Sequence, residues 1–402
     1  MSASILFADG FDDSTDLTQR WPLANANFLI SASAARTGAQ GLLSSGVNGN
    51  SQAVLTFGPR PTYIFGFALN VQSAPASNAP FVIFLDGGSN QLTITIDAAG
   101  ILKAYRGSAA FGTLLGSSTA PVPFGSWHYL EVKTTINSAS GVVQVWLDGV
   151  QILNLTGQNT QATGNASASQ VGFQQASVYW VDDLYILDPT VGGAYSAPLG
   201  DVKMVASLVN GNGSTNNAAP VFASFINSHA YKVGETFKDG NNNVQRCTVA
   251  GTSAAVGTPT WATTGGGTTT SGGATFAVVG TGSNPGAQNW MAVSENPPDD
   301  NSSYVTDATP GDKDLYTHTA VSGSAVKAFV VNMRAEKDDA GTRTVRALVK
   351  SGGTTADNGA DFALSFGSYA DFQGVFETDP NTGVAWTVSG VNAAEFGVKT
   401  TA

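Results

Sequence analysis

The chain has 402 residues, and 29 acidic against 18 basic side chains give it a net charge of −11 at neutral pH. This length predicts two or three domains with cores of their own. The acidic balance would repel a phosphate backbone and an anionic lipid surface alike, so no nucleic acid is expected as a partner. No stretch approaches 18 apolar residues, so membrane insertion is not expected either. The only cysteine, Cys247, excludes an intrachain disulfide.

The first half of the chain predicts β-strands. Apolar and polar residues alternate over short stretches that clusters of Gly, Pro, Asn and Ser separate, and no stretch shows the 3.6-residue period of a helix. Both ends of this region, Ile5–Asp13 and Val181–Leu187, are strand-like. The predicted strands between them are Gln52–Phe57, Tyr63–Val71, Phe81–Leu85, Leu92–Ile96 and Ile101–Tyr105.

The stretch from Phe124 to Val150 carries the strongest fold signal. Two alternating strands lie on either side of a polar turn, and Asp148-Gly149 then supplies a tight reversal into a third strand. This order resembles the concanavalin A-like lectin and laminin-G-like sandwich family. The resemblance implies a β-sandwich over residues 1–190 whose first and last strands lie side by side in one sheet.

A second domain is predicted after the short linker at Thr190–Gly193. Val202–Val209 is its predicted first strand, and Asn210–Asn217 has the composition of a linker. Residues 200–219 and 284–402 are predicted to form a second β-sandwich of the jelly-roll type. Its further predicted strands are Ser303–Val305, Asp314–Thr319, Ala325–Ala335, Arg343–Lys350, Phe362–Ser365, Phe372–Glu377 and Glu395–Val398.

Residues 220–283 predict a small β module inserted into this second sandwich. The strand at Ala230–Phe237, the turn at Asp239–Asn243 and the strand at Val244–Gly251 resemble the small modules of carbohydrate-binding families 5 and 12. Gln245 and Arg246 stand where those modules carry an aromatic residue. The resemblance implies a module that could present aromatic rings to a sugar.

No catalytic arrangement is evident in the sequence. The three histidines, His128, His229 and His318, lie far apart along the chain, and the paired-glutamate strand of glucanases with this type of sandwich is absent. Acidic pairs such as Asp182-Asp183 are adjacent residues, which point to opposite faces of a strand. The turn at Asp239–Asn243 lacks the Gly and Glu of a calcium loop. We therefore predict a protein without enzymatic activity, metal or cofactor.

Aromatic residues are the remaining candidates for ligand contact, because their rings stack on sugar faces. Tyr231 and Trp261 in the inserted module are the predicted carbohydrate-binding residues, with a core role as the alternative for a module of this size. Four other tryptophans are predicted to pack inside the sandwiches: Trp127, Trp146, Trp180 and Trp386.

An acidic mosaic of β-domains without catalytic residues resembles bacteriophage virion proteins. The resemblance implies a structural component of the capsid, tail or fibre, located in the virion and present in several copies. Its partners would be other virion proteins, copies of itself and host-surface glycans. The alternatives are a soluble bacterial carbohydrate-binding protein and a glycan-degrading enzyme.

Overall fold

The computed structural model describes residues 3–13, 16–46, 51–175, 177–280 and 289–402. The chain forms two compact units, Met1–Ala206 and Ser207–Ala402. The protein is all β, as the alternating pattern predicted. No helix in the described ranges is long and apolar enough to cross a membrane.

The first unit is a sandwich of two antiparallel sheets. Its strands in the described ranges are β1 (Ile5–Asp9), β2 (Phe28–Ser31), β3 (Gly41–Ser45), β4 (Gln52–Arg60), β5 (Thr62–Val71), β6 (Ala79–Asp86), β7 (Ser89–Ile96), β8 (Leu102–Arg106), β9 (Thr113–Ser117), β10 (His128–Thr135), β11 (Gly141–Leu147), β12 (Val150–Gln158), β13 (Ala168–Gln174) and β14 (Val178–Leu187). One sheet has eight strands in the order β12-β11-β10-β5-β14-β3-β2, with β1 beside β14, and the other has six in the order β4-β13-β6-β7-β8-β9. Short 3-10 turns occupy Leu17–Gln19 and Ala32–Ala34.

The core of this unit lies between the inner faces of the two sheets. It contains four fully buried residues of β10 and β11, namely Leu130, Val132, Val143 and Val145. They are every second residue of their strands, so the alternation in the sequence correctly predicts the buried face. The predicted pairing of the first and last strands is confirmed, because β1 runs antiparallel to β14.

The segment after β14 belongs to the first unit and covers part of the outer face of the eight-stranded sheet. Gly200 N–H donates to Glu131 Oε1 over 2.9 Å, and Leu199 N–H donates to the hydroxyl of Tyr185 over 3.0 Å. Met204 N–H donates to Asp183 Oδ1 over 2.7 Å. The unit thus extends past residue 190, where the sequence predicted its end.

The second unit contains several smaller antiparallel sheets. Its strands in the described ranges are β15 (Val209–Asn216), β16 (Ala219–Phe222), β17 (Ala230–Tyr231), β18 (Thr236–Lys238), β19 (Val244–Val249), β20 (Gly251–Thr252), β21 (Thr268–Ser271), β22 (Ala274–Gly280), β23 (Ser303–Thr306), β24 (Lys313–His318), β25 (Phe329–Ala335), β26 (Thr344–Ser351), β27 (Thr354–Asp357), β28 (Phe362–Ala363), β29 (Ala370–Phe376) and β30 (Glu395–Thr400). A 3-10 turn occupies Asn289–Ala292 and one short helix, α1, occupies Val388–Ala393.

The inserted module has its own sheet of four strands, in the order β18-β19-β22-β21. The main sheet of the second unit has six strands, ordered β15-β24-β30-β26-β27 with β28 beside β26. The predicted boundary between module and sandwich, at residues 283 and 284, lies outside the described residues.

Two predictions about the start of the second unit are wrong. Val202–Leu208 forms no strand, whereas the predicted linker at Asn210–Asn217 lies almost entirely within β15. The pairing of β15 with β24 uses backbone groups, which Asn, Gly, Ser and Thr carry like any residue. Hydrophobic alternation therefore gave no sign of this strand.

Three of the four tryptophans predicted to pack in cores are only half-buried. Trp127, Trp146 and Trp180 share the outer face of the eight-stranded sheet, on the opposite side from the core residues they alternate with. Trp386 alone is buried as predicted, and its indole N–H donates to the carbonyl of Phe376 over 2.9 Å.

Candidate functional site

The two predicted carbohydrate-binding residues are core residues of the inserted module. Tyr231 and Trp261 are only 4% and 6% exposed and pack with Phe225, Phe237 and Phe276. The ring centroids of Phe237 and Trp261 are 5.3 Å apart, and those of Phe225 and Tyr231 are 5.8 Å apart. A module this small needs its aromatic residues for its own core. Neither ring presents a free face, which corrects their assignment as a sugar platform.

Asp182 and Asp183 have structural partners. Asp182 Oδ2 accepts the backbone N–H groups of Arg36 and Thr37 over 2.7 and 3.0 Å, and Asp183 pairs with the Arg36 side chain. Burial raises the pKa of Asp182 to about 7, although these N–H donors oppose the shift. The pair holds the β2–β3 connection against β14.

The three histidines lie in separate surroundings. His128 contacts Asp148, His229 contacts Glu235, and His318 lies against the carbonyls of Thr319 and Val391. Over the described ranges, no three His, Cys, Asp or Glu side chains are grouped so that they could hold a metal ion.

The outer face of the six-stranded sheet, which we call the six-stranded face, carries a second apolar cluster. Val54, Ile83 and Leu85 form this cluster apart from the main core and are almost fully buried. Strand register explains its position, because one row of paired residues runs across five strands on this side of the sheet. The row is Val54, Gly172, Ile83, Thr93 and Tyr105.

Hydroxyl and amide groups lie beside this apolar floor. The next row contains Thr95, whose hydroxyl donates to Asn78 Oδ1 over 2.5 Å, and Asn78 Nδ2 donates to the Tyr105 hydroxyl over 3.0 Å. Thr93 donates to the carbonyl of Gly107 over 2.8 Å. Together these groups form a fixed, uncharged set of hydrogen-bonding side chains.

Gln170 completes the six-stranded face on its other side. Its Nε2 donates to Thr56 Oγ1 over 3.1 Å, and in the register it lies beside Leu85. Its Oε1 is buried and accepts no hydrogen bond from any described residue. A buried acceptor without a donor costs about 1–3 kcal/mol. The site therefore holds one acceptor that a ligand donor could satisfy.

An ion pair lies one row from Tyr105 on this face. It joins Lys103 to Asp97 over 3.0 Å. Desolvation raises the pKa of Asp97, but the hydrogen bonds from Lys103, Ile101 N–H and Ala99 N–H outweigh it, and the pKa lies below its usual value. The apolar cluster and the two threonines are almost fully buried, so the groups that a ligand can reach on this face are the half-buried side chains of Asn78, Tyr105 and Gln170.

Sequence reasoning missed these residues, although a signal for them exists. In β7, Leu92, Ile94 and Ile96 alternate with Thr93 and Thr95, so one face of the strand is polar by pattern. The pattern does not say which neighbouring strands extend that face. Asn78, Tyr105 and Gln170 come from three separate parts of the chain and meet only through the sheet order.

No family model matches the chain, and no curated protein matches it. Among solved structures, it is similar to a carbohydrate-binding module of family 66 from Bacillus subtilis, with 9% identity and a TM-score of 0.28. That match covers 40% of this chain and 96% of the module.

It is also similar to domain 4 of an extracellular arabinanase from Geobacillus stearothermophilus, determined with arabinotriose. The identity is 15% and the TM-score 0.31, over 47% of this chain and 94% of that domain. A sialidase from Trypanosoma rangeli matches with 14% identity and a TM-score of 0.30, over 41% of this chain and 29% of the sialidase. Similarity at this level assigns neither an activity nor a ligand.

Proposed function

We propose that the chain is a non-catalytic carbohydrate-binding protein that holds a neutral sugar on its six-stranded face. The observation that carries this proposal is the half-buried Tyr105 ring beside the amides of Asn78 and Gln170, since Gln170 Oε1 accepts no hydrogen bond from a described residue. Sugar-ring C–H groups are apolar and their hydroxyls donate and accept, so such a surface complements them.

The charges favour a neutral over an acidic sugar. Lys103 is already paired with Asp97, and the chain as a whole carries a net charge of −11. An acidic polysaccharide would meet long-range repulsion from this net charge. Uncharged saccharides avoid this cost.

Affinity electrophoresis and calorimetry with cellohexaose, laminarihexaose and maltohexaose test the proposal, with polygalacturonate as the acidic comparison. We expect binding of at least one neutral oligosaccharide and none of the acidic polymer. Tyr105→Ala and Gln170→Ala should each weaken binding about tenfold, since one lost hydrogen bond or stacking contact is worth about 1.4 kcal/mol.

Phe111→Ala is the matched control, because Phe111 is an exposed aromatic residue on the turn between β8 and β9. Its removal should leave affinity unchanged. Failure of the protein to bind any of the neutral oligosaccharides would overturn the proposal. Hydrolysis of any of them would overturn its non-catalytic part.

We also propose a bacteriophage particle as the setting of this activity, on the sequence resemblance alone. Mass spectrometry of purified particles tests it, and the expected result is this chain in several copies per particle. Its absence from particles would remove the setting and leave sugar binding untouched.

A further inference from the structure

Two tryptophans lie together on the opposite side of the first unit, on the outer face of the eight-stranded sheet. Trp180 in β14 pairs with Asn70 in β5, and Trp127 precedes His128, which pairs with Leu69. The two rings therefore flank Asn70. Their centroids are 6.3 Å apart and their planes differ by 42°, so they form a tilted contact rather than a closed stack.

Asn70 lies beneath this tryptophan pair and is 5% exposed. Its Oδ1 is buried, and none of the described residues donates to it. The preceding residue of β5 on the same face is Ala68, which is apolar. An apolar side chain at position 70 would avoid the cost of an unsatisfied amide oxygen. Stabilisation of the fold therefore does not explain why position 70 is an asparagine.

We propose that Trp127, Trp180 and Asn70 form a second saccharide-binding site, in which the indole rings stack on a neutral sugar ring and one sugar hydroxyl donates to Asn70 Oδ1. The hydroxyl reaches the amide when the two tilted rings rotate apart. This site shares with the six-stranded face only the class of ligand, and a different sheet supplies its residues.

The surroundings of the pair favour a saccharide over a charged ligand. The same row continues through Leu43 to Leu29, which is half-exposed, so the surface beside Trp180 is apolar. The neighbouring carboxyl on this side of β14 is Asp182, whose Oδ2 already accepts two backbone N–H groups. A stacking surface with one buried acceptor suits the C–H face and hydroxyl of a sugar.

Titration of the indole N–H resonances of the full chain with the same three neutral hexasaccharides tests the second site. The measurement is made in the Tyr105→Ala background, which weakens the six-stranded face. We expect the resonances of Trp127 and Trp180 to shift and that of Trp146 to stay. Trp146 is the matched control, since it lies on the same outer face. Trp127→Ala and Trp180→Ala should each lower the remaining affinity about tenfold, whereas Trp146→Ala should not.

Asn70→Leu separates a binding role from a structural one. This change removes the amide oxygen and keeps the number and branching of the side-chain heavy atoms, so the free energy of unfolding should stay equal or rise while binding at the pair weakens at least fivefold. A variant that loses stability and keeps its affinity would overturn the role of Asn70.

The two sites fail in distinguishable ways. If Tyr105→Ala removes all binding and no hexasaccharide shifts the indole resonances, the second site is overturned and the six-stranded face stands. If Tyr105→Ala leaves affinity unchanged while Trp127→Ala abolishes it, the second site is supported and the six-stranded face is wrong.

Discussion

At the scale of single residues, the second unit contains a carboxyl group that should make its stability depend on pH. Glu295 Oε2 is buried and accepts no hydrogen bond from the described residues. Burial, and then the neighbouring Asp299 carboxylate, raise the pKa of Glu295 to about 8. The same two kinds of effect raise the pKa of Asp299 to about 6.

Because the folded pKa of Glu295 lies above its unfolded value, the native unit keeps a proton that the unfolded chain releases. The contribution of Glu295 to the free energy of unfolding is therefore fully present below about pH 4.5. It falls as the pH rises towards 8 and is lost above that pH. Glu295→Gln should remove the part of the pH slope that Glu295 contributes, on the order of 3 kcal/mol between pH 5 and 8, and leave the parts from Asp299 and Asp182. Denaturant unfolding at several pH values measures it.

The control for this prediction is Asp338→Asn, which changes an exposed carboxyl of the same unit. It should keep the pH slope of the unaltered protein. Equal slopes for Glu295→Gln and the unaltered protein would contradict the assignment of the slope to Glu295.

At the scale of elements, close packing between β5 and β14 depends on a missing side chain. Gly66 lies opposite Tyr185, and a Cβ at Gly66 would come within 2.2 Å of the Tyr185 ring, which is fully buried. Gly66→Ala should therefore lower the free energy of unfolding of the first unit by about 1–3 kcal/mol. Thermal and denaturant unfolding measure this change.

Gly58→Ala is the matched control, because Gly58 lies in β4 and a Cβ there would meet no atom within 4 Å. It should leave stability unchanged or raise it slightly. If both variants lose the same stability, the effect comes from strand propensity and not from contact with Tyr185.

Most strands of the first unit could be predicted, but β2, β3, β9 and β13 were not, and neither were the candidate sites. Leu92, Ile94 and Ile96 alternate with threonines in a way that shows a strand with one buried face. That Gln170 lies across the same face depends on β13 pairing with β6, far away in the sequence. The sequence-based prediction placed Trp127 and Trp180 in a core because their side chains are large. The position of Trp127 already argued against this, because it alternates with the core residues of β10 and so points to the other face.

At the scale of the whole molecule, the first unit should need the segment that follows its last strand. Gly200 N–H and Leu199 N–H contact Glu131 and the Tyr185 hydroxyl, and both of those side chains are buried. A fragment of residues 1–190 lacks both N–H donors, although the Tyr185 hydroxyl still donates to Glu131 Oε1. It should unfold about 2–4 kcal/mol more easily than residues 1–206, since it loses one hydrogen bond to a buried carboxylate and one to a buried hydroxyl.

Denaturant unfolding of the two fragments measures the difference, and the first unit within the full chain is the reference. Residues 1–206 should match that reference, because the unit has a separate core. Equal stability of the two fragments would contradict a role for the segment.

The sequence by itself determined the all-β class and most strand positions in the first unit, since alternation and turn residues are local properties of the chain. The pairing of the ends of that unit followed from the family resemblance. Only the tertiary structure decided which residues share a face. It buried Tyr231 and Trp261, left Trp127 and Trp180 half-buried on an outer face, and brought Asn78, Tyr105 and Gln170 to one face of a sheet. The physical reason is that a side chain's surroundings depend on strand order and register, which hydrogen bonds between distant segments establish.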